Sequence, residues 1–469
     1  ESFSAAASLT SRVCTRPTWA TCAMWPEALL LCALCAGSLA ADADTELSDS
    51  RRFQAYLHRH QYPVDCRDRP GVLTRAGMQP NGQMFNHDYF YGLGLGSQIV
   101  SLKFNFVMAL LQGKIYHFPT SHYVNPLRCP SQSFDCYFAR PTNCSLPVTS
   151  ELAAPAGRPL APREMHRKVD VMKLLWCFDL PRRRLSRLLG LAAVHSNAWY
   201  HGQLATFLFR PNDEMLAFRT EMLTAFDVNT SVSPRERWAG EISVHNGSCA
   251  AMHIRRTDKF KGRRREDRKT QIGFAGFAHS YKSWAYWQAP RPAQHVRVLL
   301  GSEDKATFGA MPPLLAPSVT YWIPGRYFVM GSFKDINDNN NRLMRTYARL
   351  QERMRDAQAA GGEAVAALVA AGAKKDEGMA LVLQIIMMGE CDALFGSYAS
   401  NVAVLVHDLQ HARQVARRQR MHAVDVNGRI YCGCGASFCM KVEKRAAREP
   451  RRGIRHMVDA FRGDNINAI

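Results

Sequence analysis

From Cys249 to Ile254 the chain reads Cys-Ala-Ala-Met-His-Ile, and then turns at once into Arg255-Arg256-Thr257-Asp258-Lys259. A continuous apolar run that meets a burst of charge is the trace of a buried parallel strand where it emerges at its carboxyl edge. Residues 296–300, ending at Gly301-Ser302-Glu303-Asp304, and residues 319–323 read as two more strands. A helix is expected over 342–357, capped by the Asn-rich turn before it, with an Ala-rich helical insertion over 361–374. Helix over 377–388, strand over 393–395 and helix over 400–409 complete the pattern. Strands alternating with helices in this way predict an α/β fold with an open parallel sheet and ligands at the carboxyl ends of its strands.

The first half is less regular. Residues 88–96 form a Gly-rich loop, after which Val100, Phe104, Val107 and Leu111 recur at helical spacing within 97–112. A short strand over 115–118 is stopped by Pro119. A loop region with Cys129, Cys136 and Cys144, and an Ala/Pro-rich run over 151–162, read as a surface excursion. Residues 198–226 are helical, broken once at Pro211, and the boundary between halves falls near Asn229 and Asn246. The divisions are thus a targeting segment (1–41), an N-terminal α/β domain (42–240), a C-terminal Rossmann-like domain (241–440) and a basic tail (441–469).

With 469 residues, 47% of them apolar and 21% charged, the chain has the composition of a folded body, which excludes disorder, collagen and multiple membrane spans. Lys and Arg number 60 against 40 Asp and Glu, a net +20 that calls for an anionic partner: nucleic acid, membrane surface or a phosphate-bearing small molecule. The apolar stretch 19–41 follows Arg12 and Arg16. It is either a signal peptide cleaved near Ala40 or a single signal-anchor, placing the body in the Golgi or secretory-pathway lumen. Ten cysteines lie beyond Ala41, an even set that suits disulfides, and sequons at Asn143, Asn229 and Asn246 sit in polar, loop-like contexts. Cys432, Cys434 and Cys439 lack the paired arms of a zinc site, so disulfides are the expectation there too.

Chemistry concentrates at Arg255 and Arg256. Two planar, permanently charged guanidinium groups at a strand mouth match a diphosphate. The alternative is that they pair with Asp258 and Glu303 to fix strand ends. The turn Gly396-Ser397-Tyr398-Ala399-Ser400, between a strand and a helix, offers backbone N–H groups and hydroxyls to phosphate oxygens. Gly92-x-Gly94-x-Gly96 departs from the dinucleotide fingerprint and reads instead as a tight turn.

Together these residues resemble a family. His253 to Lys259 looks like the donor-binding motif of fucosyltransferases that use GDP-fucose, in particular the α1,6-fucosyltransferases. Trp199-Tyr200-His201-Gly202-Gln203 with Phe207-Leu208-Phe209-Arg210-Pro211 is similar to the helix preceding the donor domain in that branch. Val298 to Asp304 resembles its second strand with paired acids, and Cys391 to Val402 its third motif. The resemblance implies a GT-B type fold, two Rossmann-like α/β domains facing a cleft, and inverting transfer of fucose from GDP-fucose to a glycan hydroxyl, with α1,6 linkage to an N-glycan core as first expectation. It implies no cofactor and no metal. Arg255, Arg256 and Lys259 would then be catalytic, stabilising charge on the departing GDP, and His253, Asp258, Glu303, Asp304, Ser397, Ser400, Gly94 and Gly96 would bind donor.

Two positions depart from the family pattern. Arg263 stands where the family places a glutamate, which leaves Glu266 as the expected base. Gln384 stands where it carries a guanine-binding aspartate, and as a donor residue it would lose the paired acceptance from guanine N–H groups. The SH3-like module and coiled coil of animal α1,6-fucosyltransferases have no counterpart here. Partners are then GDP-fucose, a glycan or glycoprotein acceptor and a possible membrane anchor. A glycan- or nucleotide-binding pseudoenzyme of the same fold and a basic nucleic-acid-binding protein are the alternatives; no nucleic-acid reader motif stands out.

Overall fold

The computed structural model describes residues 26–66, 74–75, 95–111, 113, 115–118, 121, 123–144, 180–225, 227–229, 249–255, 273–287, 296–323, 336–372, 376–419, 421–429 and 431–433. The first half contributes α1 (Pro26–Gln61), β1 (Thr74–Arg75), α2 (Leu95–Leu111), β2 (Tyr116–His117), α3 (Leu180–Leu189), α4 (Asn197–Leu208) and α5 (Asp213–Ala225). Here the described residues are mostly helical, with β1 and β2 forming a two-residue parallel pair rather than an extensive sheet. α1 continues without a break through the expected cleavage region near Ala40. Among the described residues no helix is long and apolar enough to cross a membrane.

β3 (Asp227–Asn229) precedes the expected boundary at 240 yet joins the sheet of the second half, which supplies β4 (Cys249–Ile254), α6 (Phe274–Trp287), β5 (Arg297–Ser302), α7 (Ala306–Leu315), β6 (Val319–Trp322), α8 (Ile336–Ala360), α9 (Gly362–Gly372), α10 (Glu377–Gly389), β7 (Ala393–Gly396), α11 (Asn401–Ala416) and β8 (His422–Asp425). The strands form one sheet in the order β3-β6-β5-β4-β7-β8, parallel throughout except for β3. The α/β expectation therefore holds for the sheet. Asn229 lies in β3, paired with Thr320, and not in a loop. Six residues of α8, including Asn339, Asn340 and Asn341, precede the expected helix start; low Asn propensity is a weak bias that the rest of a 25-residue helix outweighs.

The alternation of side chains along β4 decides what covers each face. Ala250, Met252 and Ile254 are buried against Phe277, Tyr281 and Trp284 of α6 and Met311 and Leu315 of α7. Ala251, with Leu299 and Leu394 from the adjacent strands, packs into the larger core beneath α10 and α11, which extends to α2 and α4. His253 shares the Ala251 face because side chains alternate with a period of two. Disulfides join Cys66 to Cys144, Cys129 to Cys136, and Cys249 to Cys391, the last tying the start of β4 to the residue before Asp392 and β7. Cys432 is also disulfide-bonded.

Candidate functional site

From β4 the chain builds β5 and β6 outward on one side, then returns to place β7 and β8 on the other. The strand order therefore reverses between β4 and β7. In open α/β sheets a crevice forms at that switch point, outside the carboxyl ends of the strands. The residues leaving β4 are His253, Ile254 and Arg255, and those leaving β7 are Gly396 to Ser400, so the two expected clusters meet at one place.

They are physically joined. His253 is 4% exposed, and its Nε2 lies 2.9 Å from Ser400 Oγ. Ser400 is the N-cap residue of α11, yet its side chain makes no capping bond, the hydroxyl being turned to His253. Among the described residues His253 Nδ1 has no hydrogen-bond partner although it is buried. Burial lowers the His253 imidazole to about 4, with nearby Arg255 pushing the same way and Glu303 opposing. A neutral ring thus sits behind the turn.

Two helix N-termini also converge there. Gly96 in the first turn of α2 lies against the first turn of α11, where a Cβ would come within 3.2 Å of Val402 Cγ2. Asn401 Nδ2 donates to Ser97 Oγ over 2.5 Å. Further along, Lys103 of α2 contacts Asp408 of α11, so the helices run side by side in the same direction. Both positive dipole ends consequently point to the same end of the sheet.

The β7–α11 turn is held from behind. Ser397 Oγ accepts from Ala399 N at 3.2 Å and from Asn427 Nδ2 at 2.7 Å. The Asp425 carboxylate, at the end of β8, accepts from the backbone N–H of Tyr398, Asn427 and Arg429. Burial pushes the Asp425 carboxyl up, against these three donors. Ser97, Asn401, Asp425 and Asn427 are not singled out by the sequence reading. A turn signature, Asp425-Val426-Asn427-Gly428 after a short apolar run, is the signal that would have found β8 and its carboxylate.

On the other flank, Arg255 Nε lies 3.6 Å from Glu303 Oε1, with the arginine side chain 29% exposed. The strand-fixing alternative is therefore realised in part, by a long contact that leaves the guanidinium reachable from solvent. Asp304 Oδ1 accepts from Ala306 N at 3.0 Å, and Ser302 Oγ donates to Ile254 O at 2.7 Å, stitching the end of β5 to that of β4. Gln384 is set back from this edge: it is 6% exposed on α10, its Nε2 lies 3.5 Å from Leu300 O, and a Cβ at Gly301 would run into its amide.

The structure thus brings together His253, Arg255, Glu303, Asp304, Ser397, Ser400 and Gly96 at the carboxyl edge, and places Gln384 beneath it. Arg256, Asp258, Lys259, Glu266 and Gly94 lie outside the described residues, as do Cys434, Cys439, Asn246 and the 151–162 run. This arrangement can receive an anion, with one guanidinium, two helix termini and hydroxyl groups around a neutral imidazole. No protein-family model and no curated protein matches the chain.

Proposed function

We propose that the protein is a glycosyltransferase of the inverting, metal-independent kind that moves fucose from GDP-fucose to a glycan hydroxyl in the secretory pathway. The carrying observation is the convergence of the first turns of α2 and α11 at the carboxyl edge of the sheet, the edge at which Arg255 follows β4. A diphosphate suits that environment because its oxygens can be shared between a guanidinium and backbone N–H groups. The GT-B arrangement, the donor identity and the α1,6 N-glycan acceptor come from the resemblance of His253 to Lys259 and its companion segments.

In the proposed step the acceptor oxygen attacks fucose C1 as the C1–O bond to GDP breaks. The bonding pair leaves with the β-phosphate, and the acceptor proton passes to a carboxylate, for which Glu266 is the proposed base. Arg255 and Arg256, aided by the helix termini, would neutralise the charge that grows on GDP. Gln384 would serve the donor indirectly, by supporting the sheet edge from below.

The test is a panel of GDP- and UDP-sugars with and without chelator. Transfer or hydrolysis confined to GDP-fucose and surviving chelation is expected; activity confined to a UDP-sugar, or abolished by chelation, overturns the proposal. Arg255→Ala should lower transfer roughly a hundredfold or more, the scale of removing one electrostatic stabiliser, while secretion is retained.

A further inference from the structure

Lys103 is the one charged residue of α2, whose other polar residues are Ser97, Gln98, Ser101 and Asn105; α11 carries a single acid, Asp408. The side chains are 1% and 0% exposed and in direct contact. The second Asp408 oxygen accepts from the Tyr431 hydroxyl, and Lys103 Nζ lies 3.4 Å from Gly433 O. The Tyr431 ring stacks on His407 at 3.7 Å and meets Tyr398, in the β7–α11 turn, edge-on at 5.5 Å. The pair therefore connects α2, α11, the segment after β8 and the anion-receiving turn.

A buried ion pair adds little stability over an apolar contact of the same shape, because desolvation offsets the attraction; its best-attested use is to fix register. Here the sequence makes that use specific. Sliding α2 by one turn, about 5.4 Å, along α11 would set the ammonium against Val404 or Ala412, where no acid waits. Apolar neighbours alone would penalise such a slip weakly. In the observed register Ser97 meets Asn401 six residues before Lys103, and Lys103 meets Asp408, so the two first turns are level with one another.

We infer that Lys103 and Asp408 are a positioning pair for the anion site: they set the axial register of α2 on α11 so that both helix N-termini point at the same phosphate. This inference rests on reading that site as phosphate-binding. Neither residue touches the ligand.

The experiment compares Lys103→Met, Asp408→Leu and the double variant in the full chain, using pyrophosphate and GDP as probes. Each single variant buries an unpaired charge and should lower the melting temperature. The double variant should regain most of that loss, yet bind pyrophosphate about tenfold more weakly, the effect of one misplaced helix terminus. Amide exchange in residues 96–98 and 401–403 should rise with it. A double variant with wild-type affinity and wild-type exchange overturns the inference. Should it fail to fold, Lys103→Arg keeps the charge but moves the head group. Weakened binding with a preserved melting temperature then supports positioning, and unchanged binding refutes it. If the wild-type protein binds neither probe, the phosphate reading fails, and amide exchange alone decides the register question: faster exchange sustains it and equal exchange overturns it.

Discussion

Helix α4 lies between two buried carboxylates that are solved in opposite ways. On the α1 side, Asp49 accepts from the backbone N–H of Ala192 and Ala193 and lies 2.8 Å from His195 Nε2. Burial raises its carboxyl, but the His195 and backbone bonds outweigh that and hold it below the ordinary value. On the α11 side, Asp408 depends on two side chains from other elements, Lys103 and Tyr431, and burial pushes its carboxyl up while Lys103 opposes. A carboxylate held by backbone donors anchors a loop whatever its neighbours do. One held only by distant side chains reports, and enforces, where those elements sit.

The α11 flank is also where neutral histidines accumulate, and acid is the strongest way to separate the two sides. Burial drives His201 and His407 well below the ordinary range, with Lys103 adding to both, and lowers His411 to about 4, as it does His253. Between pH 6.5 and about 4 the unfolded chain therefore takes up protons that the native state refuses. The stability that His253 and His411 contribute is whole above pH 6.5 and falls as the pH drops, by roughly 3 kcal/mol per pH unit for the two together, while Asp376, whose carboxyl burial raises to about 6, works the opposite way in the same window. Urea midpoints from pH 7.5 to 5 should show this. His411→Gln should remove about 1.4 kcal/mol per pH unit of the slope. An unchanged slope in His411→Gln would mean that this histidine titrates alike in both states.

The next largest effect comes from Asp408→Asn. It leaves the Lys103 ammonium buried beside a neutral amide, and breaking a buried pair by removing one charge costs about 3–5 kcal/mol. Equilibrium unfolding measures it directly; a loss below about 1 kcal/mol would show that water or another group had taken over the lysine.

Much of this could be read in advance, for identifiable reasons. β4 was legible because its five residues from Ala250 to Ile254 are buried and the strand, covered on both faces, reads as a nearly continuous apolar run, and its charged exit marked the site edge at Arg255. Ser400 was legible as part of a local turn, whereas Gly96, read as a turn glycine, lies within the first turn of α2. The clasp between Ser97 and Asn401, and the pairing of Lys103 with Asp408, join residues some three hundred positions apart, which no local periodicity encodes. Asn229 misled because a sequon's polar composition suits a loop as well as an edge strand such as β3. Gln384 misled differently: a position matched to a motif says nothing about depth, and burial beneath Gly301 depends on how α10 crosses the sheet. Helix α7 escaped notice because Pro312 and Pro313 stand inside it.

The mildest perturbation is the same exchange made on the other flank. Asp49→Asn can keep its oxygen at the Oδ2 position, which serves Ala192, Ala193 and His195, but then sets an NH2 group against the Ala192 N–H where Oδ1 stood. The expected cost is about 1–3 kcal/mol, less than at Asp408 because no charge is stranded. The sign with pH also differs from that of the histidines. A carboxyl held below its ordinary value contributes stability above the unfolded value of 3.8 and loses it as pH falls through the folded one, so the Asp49→Asn penalty should be full at pH 6 and shrink in acid. Difference curves between the two proteins, measured by denaturant from pH 6 down to 3, carry the answer. A penalty that stays constant through that window would show that Asp49 works as a neutral acceptor, and would remove the contrast with Asp408.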